Sequence, residues 1–446
     1  MEENIRAIVN KLDRNTMFRL SLGSKELFHS NFLEFLWDKD KDAFLEMLKA
    51  LLPDNEDKKR IDILKDKKII EHLQIARERE NLDLCIYYHF DEEIENDDQG
   101  EESEEELQDN EEDKGMGKND IYCIIIENKV KSIPYKSQLD GYIGKVNEHN
   151  KKKAIQNKIQ NIFKEKDFQP IYILLSLAKE FSQKEAIEKE QDNTKKWNII
   201  HYNQLSKEIR CKYWIFNKYI RDYVRFVENL DILGEKIIES RKSKLITQKD
   251  IHDMLQCIRL HDLYLKLRGS LFIGEVYDKI HKKFDNNTIS FEKADRKKKN
   301  IKIFLSSTMN NGKATVDAAI VHKKGDDTIF YVIQIEGNQY RHMINKLGLA
   351  DDCSVTPEGK KRAVIDLTKV EDINILGTLS QEYKFLNFED PFQVACTSLK
   401  KIHENYCKYK PNIVYRYKEF DVTLESMLEI MCNDIVNTWK KLMNLE

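Results

Sequence analysis

Two apolar runs in this chain each carry an acidic residue at one end. The first is Leu82-Asp83-Leu84-Cys85-Ile86-Tyr87-Tyr88; the second is Ile121-Tyr122-Cys123-Ile124-Ile125-Ile126-Glu127-Asn128-Lys129. Their β-branched and aromatic content predicts buried strands, where a carboxylate needs a reason to be. Side chains alternate along a strand, so Glu127 and Lys129 project from one face. Seven steps lead from Asp83 to Phe90 and seven lead back from Glu127 to Asp120, so an antiparallel hairpin would set Asp83 opposite Glu127. Two converging carboxylates suit a hard divalent cation such as Mg2+ or Mn2+, with a backbone carbonyl, water and a substrate phosphate completing its shell. Such a site activates water for attack on phosphorus. Lys129, a compact charge, would orient that water or neutralise charge building on the phosphate.

Asp83 with Glu127-x-Lys129 resembles the PD-(D/E)XK nuclease superfamily. The proline of that name is replaced by Leu82, which costs no chemistry. The stretch Glu26-Leu27-Phe28-His29-Ser30-Asn31-Phe32-Leu33-Glu34-Phe35-Leu36-Trp37 is similar to the opening helix of a bacterial branch. Gln138 and Tyr142 lie four apart on one helical face and are similar to the Gln-x-x-x-Tyr that follows Glu-x-Lys in several branches. The resemblance implies an α/β (α+β) fold, a restriction-endonuclease-like mixed sheet flanked by helices. It also implies Asp83, Glu127 and Lys129 as catalytic residues, metal held by Asp83 and Glu127, and support from Gln138 and Tyr142. Relatives place a further carboxylate near the metal from an upstream strand or from the opening helix. Glu78 and Glu34 are the candidates for these roles, with Glu80 competing with Glu78, and both are equally readable as solvated charges. His29 is either a helix candidate for the site or a core histidine.

Length and composition bound the rest. At 446 residues the chain exceeds the usual size of one hydrophobic core, so two domains are expected. These are a nuclease-like domain over 1–230 and an α+β accessory domain over 231–446. No run approaches the roughly eighteen apolar residues of a membrane span, and Met1-Glu2-Glu3-Asn4-Ile5-Arg6 lacks a signal-peptide plan; the expectation is a cytoplasmic protein. The eight cysteines are scattered, with no C-x-x-C pair, and read as reduced core residues. Formal net charge is −4, yet Asp91 to Asp113 carries fifteen acidic residues and no basic one, so the remainder stands at +11. A basic body fits phosphate-backbone binding, with DNA the favoured partner. The acidic run lies in an insertion over 91–118, expected to be a disordered replacement for a hairpin turn.

The elements needed to position the site follow from the pattern. A helix or helix pair is expected over 25–52, broken by Pro53, then strands at 69–78, 83–90 and 120–129. A long helical stretch over 135–163, a strand at 169–177, a helix, a strand at 197–202 and a closing helix complete an α-β-β-β-α-β-α-β order. Beyond 230, helices are expected over 234–283. Strands follow at 288–291, 301–305, 314–321 and 328–335, with a turn at Gly325-Asp326-Asp327, and terminal helices over 392–408 and 423–444. Arg296, Lys297, Lys298 and Lys299 form a basic cluster that either contacts phosphates or decorates a solvated turn. Two functions fit: metal-dependent hydrolysis of nucleic-acid phosphodiesters in restriction, repair or phage defence, or a catalytically silent nucleic-acid-binding or regulatory module on the same fold.

Overall fold

The computed structural model describes residues 2–90, 120–347, 353–355, 361–363, 400–403, 406–410, 413–419 and 424–444. Within these it leaves aside 24, 133, 164–167, most of 179–196, 214–216, 240–248, 285–287, 292–301, 311–312, 325–326 and 338. The acidic insertion and the Arg296 to Lys299 cluster lie outside the described residues.

Helices α1 (Glu2–Asp13), α2 (Thr16–Leu20), α3 (Glu26–Lys39), α4 (Lys41–Leu51), α5 (Asn55–Leu64) and α6 (Lys67–Ile70) precede the first strand. The expected helix pair over 25–52 is divided by Asp40, which ends α3 in an extended conformation and caps α4 by accepting from the Ala43 N–H at 2.9 Å, a standard use of a short acidic side chain. Strands β1 (Leu73–Arg79), β2 (Leu82–Tyr88), β3 (Ile121–Lys129), β4 (Ile171–Ser176) and β5 (Trp197–His201) then form one mixed sheet in the order β1-β2-β3-β4-β5. The first three run antiparallel, and β3, β4 and β5 run parallel. Every residue of β3 and β4 is buried. That is why these runs are apolar without a break: helices cover both faces, and no side has to meet water. Helix α3 packs on β1, β2 and β3, and α7 (Lys136–Asn150) packs on β3. After α7 come α8 (Lys153–Phe163), α9 (Tyr202–Tyr213) and α10 (Lys218–Glu239), so the helix expected over 135–163 is two helices parted at Lys151 and Lys152.

The hairpin register decides where Asp83 stands relative to Glu127. Leu84 pairs with Ile126, Cys85 with Ile125 and Ile86 with Ile124, but Tyr87 pairs with Tyr122 and Tyr88 with Ile121. Cys123 is therefore an extra residue, a β-bulge. The expected match of seven steps on both strands fails towards the insertion, where it is off by one. At the other end it holds, since Leu84 opposite Ile126 leaves Asp83 opposite Glu127.

Helices α11 (Lys249–Cys257) and α12 (His261–Ile280) follow, separated by Arg259 in the left-handed region (φ 60°). A second sheet contains β6 (Ile289–Ser290), β7 (Ile303–Asn310), β8 (Lys313–Lys324), β9 (Asp327–Glu336), β10 (Gln339–Leu347), β13 (Lys400–His403), β14 (Tyr406–Lys410) and β15 (Ile413–Glu419). Their order is β13-β14-β15-β10-β9-β8-β7-β6, and β11 (Cys353–Val355) pairs with β12 (Lys361–Ala363) apart from it. Helix α12 lies on β7 and β8, and α13 (Leu424–Asn444) packs on both α12 and β8. Gly269 permits the first contact, because a Cβ there would stand 2.7 Å from the Ser307 hydroxyl. The helix expected over 392–408 is overturned. Its described residues form β13 and β14, where Cys407-Lys408-Tyr409-Lys410 alternates with the period of a strand and β14 finds a partner in β15. The expected domain boundary at 230/231 falls inside α10; among the described residues one large cluster of buried apolar side chains runs from α1 to α13, and Phe304, Ala319, Val321 and Phe330 form a second, smaller one on β7, β8 and β9.

Candidate active site

Asp83 and Glu127 stand side by side on β2 and β3, facing the same way. Alternation along β3 puts Asn128 on the opposite face, where its amide donates to Ser30 Oγ of α3 at 2.6 Å and accepts from the Tyr202 hydroxyl of α9 at 3.0 Å. The backbone N–H of Asn128 points back and donates to Asp83 Oδ2 at 2.7 Å. Glu127 Oε1 is held by Lys129 Nζ at 2.6 Å, and Gln138 Nε2 of α7 stands 3.4 Å from it while donating to the Tyr142 hydroxyl at 2.8 Å. The structure thus brings Asp83, Glu127, Lys129, Gln138 and Tyr142 together. Glu127 Oε2 is buried and has no hydrogen-bond partner.

Burial dominates the electrostatics here. It pushes the Glu127 carboxyl up to about 7, with the nearby charges of Asp83 and Glu26 adding to the rise and Lys129 opposing it. Asp83 is raised for the same first reason, held back by Lys129 and by the Asn128 N–H, with the charge of Glu26 adding to the rise. Burial alone would depress Lys129, but Glu127, Glu26 and Asp83 outweigh it and keep the ammonium charged. Two carboxyls forced together in a dry place, one orphaned oxygen and a pinned lysine are the conditions in which a proton is readily exchanged for a cation. Among the described residues no three His, Cys, Asp or Glu side chains converge as a ready-made cation cage. A two-carboxylate set fits an ion that keeps several of its waters.

Residues 115–214 match the family model described as PD-(D/E)XK nuclease superfamily. The match runs through β3, α7, β4 and β5 and contains Glu127, Lys129, Gln138 and Tyr142; Asp83 lies ahead of it and is delivered by the pairing of β2 with β3. The mixed sheet flanked by helices is the restriction-endonuclease-like core of that superfamily. No curated protein and no solved structure matches the chain.

The other candidates fall differently. Glu34 turns to Arg77 at 2.6 Å, and the carboxylate of α3 that acts on Asp83, Glu127 and Lys129 is Glu26. The helical period carries the signal for this. Glu26, Ser30, Leu33 and Trp37 follow i, i+4, i+7, i+11 spacing along one stripe, and the last three are buried against the sheet, whereas Glu34, four past Ser30, lies at the edge of that stripe. Glu78 sits near the end of β1 with φ 52°, just before a turn that holds Glu80 (φ 52°) and Asn81 (φ 66°) in the left-handed region, and it is not among the charges that shift Asp83 or Glu127. His29 is a core residue. It is fully buried, pushed down to about 3 by burial and then by Lys131, and shares a 2.9 Å hydrogen bond with Tyr223.

Proposed function

We propose that this protein hydrolyses phosphodiester bonds of nucleic acid, DNA foremost, with Mg2+ or Mn2+ held by Asp83 and Glu127. The observation that carries the reading is the buried, unpartnered Glu127 Oε2 beside Asp83, on the face that also presents Lys129. A divalent ion there would supply Lewis acidity towards the phosphate and lower the pKa of water. The chain's own residues do the remainder. The Asn128 N–H fixes the Asp83 carboxylate, and Lys129 favours the ionised form of Glu127 and presents positive charge where the phosphate becomes more negative. Gln138 and Tyr142, hydrogen-bonded to each other, steady Glu127 from α7 and line the approach to it. Glu26 adds negative charge that favours cation loading.

In this reading residues 1–230 carry the chemistry and 231–446 serve an accessory role, with a place in restriction, repair or phage defence. The match of residues 115–214 to a nuclease superfamily supports it. Among the described residues no helix is long and apolar enough to cross a membrane. The test is to incubate purified protein with linear, circular and single-stranded DNA and with RNA, in Mg2+, Mn2+ or EDTA. Metal-dependent cleavage that disappears in Asp83→Asn and Glu127→Gln is expected. Binding without cleavage under every metal condition would instead assign the fold to a silent binding module.

A further inference from the structure

The peptide between Lys129 and α7 joins the two halves of the site, since β3 carries Glu127 and Lys129 while α7 carries Gln138 and Tyr142. This connection is held from the second sheet and its helix. Lys131, two residues past Lys129 and 8% exposed, places its ammonium 3.0 and 2.9 Å from the two carboxylate oxygens of Asp262 in the first turn of α12. Tyr135, at the N-cap position of α7, donates its hydroxyl to the Ser307 carbonyl of β7 at 3.1 Å and accepts from the Ser307 N–H at 3.2 Å. Its ring packs on Phe291 with centroids 5.3 Å apart. Between these anchors Ser132 Oγ approaches Glu26 Oε1 at 3.5 Å. Tyr135 has no side-chain hydrogen bond to its own helix, so its hydroxyl is spent on β7.

We infer that α12 and β7 are a working part of the active site, with Asp262 a positioning residue that, through Lys131, sets the exit of the catalytic strand and the seat of α7. The inference rests on the proposed nuclease reading for its kinetic consequences and on packing alone for its mechanical ones. A two-oxygen grip on a nearly buried ammonium fixes direction as well as distance. Once it is lost, Lys131 must seek water, and the strand end bearing Lys129 moves with it. Asp262 also offsets the positive charge of Lys131, which otherwise would stand beside a site that has to accept a cation.

The experiment uses the full chain. Asp262→Ala, Asp262→Asn, Lys131→Met and Tyr135→Phe are compared with the wild type by hydrogen exchange across residues 130–142 and by the Mg2+ dependence of cleavage of linear DNA. Asp262→Ala is expected to speed exchange over 130–142. It should also lower kcat about 10- to 100-fold, as loss of groups that orient ligands does, with little change in KM for DNA. Asp262→Asn keeps an oxygen for Lys131 and should restore most of both, and the Asp262→Ala/Lys131→Met double variant should be no worse than either single one. Tyr135→Phe, a smaller change that guards against a misfolded Asp262→Ala, should shift exchange in the same direction. Unchanged exchange over 130–142 in both Asp262→Ala and Tyr135→Phe overturns the inference whatever the activity. So does an Asp262→Ala protein with a lower urea midpoint but wild-type kcat and Mg2+ dependence. A wild type that cleaves nothing while the variants still loosen 130–142 removes the nuclease reading and leaves the mechanical coupling standing.

Discussion

Replacing Glu127 by glutamine should make the protein more stable at pH 7.5 and leave it nearly unchanged at pH 4.5. The Glu127 carboxyl is raised from its ordinary 4.5 to about 7 by burial, chiefly, and by Asp83. Between those two values the folded chain keeps a proton that the unfolded chain has released, so stability falls as pH rises through that window. The contribution is complete below 4.5 and gone above 7. At about 1.4 kcal/mol for each tenfold change in proton affinity, the loss is about 3 kcal/mol. No discount for solvent applies to a side chain that is 1% exposed. Glutamine has the shape of the protonated acid and cannot ionise, so the variant lacks this slope. Urea unfolding followed by tryptophan fluorescence, run on both proteins from pH 4.5 to 7.5, should show the difference between them widening by about 3 kcal/mol in favour of the glutamine. Magnesium at about a hundred times its Kd should then return roughly 2.7 kcal/mol to the wild type at pH 7.5 and nothing to the variant. Parallel pH curves for the two proteins, or a glutamine variant less stable at pH 7.5, would refute the claim that Glu127 is held ionised at a cost that a cation relieves.

Three further outcomes are expected. Asp83→Ala, Glu127→Ala and Lys129→Ala should each lower metal-dependent cleavage by roughly a thousandfold or more with circular dichroism and much of the DNA binding retained; full activity in any of them assigns the chemistry elsewhere. Glu26→Gln should raise the Mg2+ concentration needed for half-maximal cleavage about 10-fold or more, while Glu34→Gln, whose partner is Arg77, should leave it unchanged; the reverse ranking would return Glu34 to the site. Replacing Asp91 to Asp113 with a short Gly-Ser linker should preserve folding, because doubling a loop's length costs only about 0.6 kcal/mol, and should tighten DNA binding modestly; a variant that does not fold, or whose salt slope steepens sharply, contradicts this.

The strand pair was legible because its signal is local and strong. An apolar run with a charged end says both where a strand is buried and where its chemistry begins, and counting steps between Asp83 and Glu127 set them opposite each other. The bulge at Cys123 was not legible, since nothing in Tyr122-Cys123-Ile124 distinguishes an extra residue from a regular one. Glu26 is readable in principle through its spacing to Ser30, Leu33 and Trp37, but adjacency to Leu33 and Phe35 makes Glu34 the more conspicuous carboxylate of the helix. In the second sheet, β13 and β14 form short lysine-rich runs, and without knowing that β15 lies beside β14 their composition suits a helix as well as a strand. Lys131 with Asp262 and Tyr135 with Ser307 join residues far apart in the chain, and a single sequence carries no mark of such pairs.

The middle letter of Glu-x-Lys is conventionally a blank, yet in this chain it is the most heavily committed residue of the three. Asn128 is completely buried; its backbone serves Asp83 on one face while its side chain bolts α3 and α9 to the other. Aspartate there would put an acceptor where Ser30 now receives a donor, and leucine would strand the hydroxyls of Ser30 and Tyr202. The alphabet tolerated at the blank is therefore set by whatever helices happen to lie behind the sheet. A search pattern tuned to that letter would separate nucleases by how their scaffold is fastened, and an engineer wishing to transplant this site would have to carry the fastening along with the three residues proposed to do the chemistry.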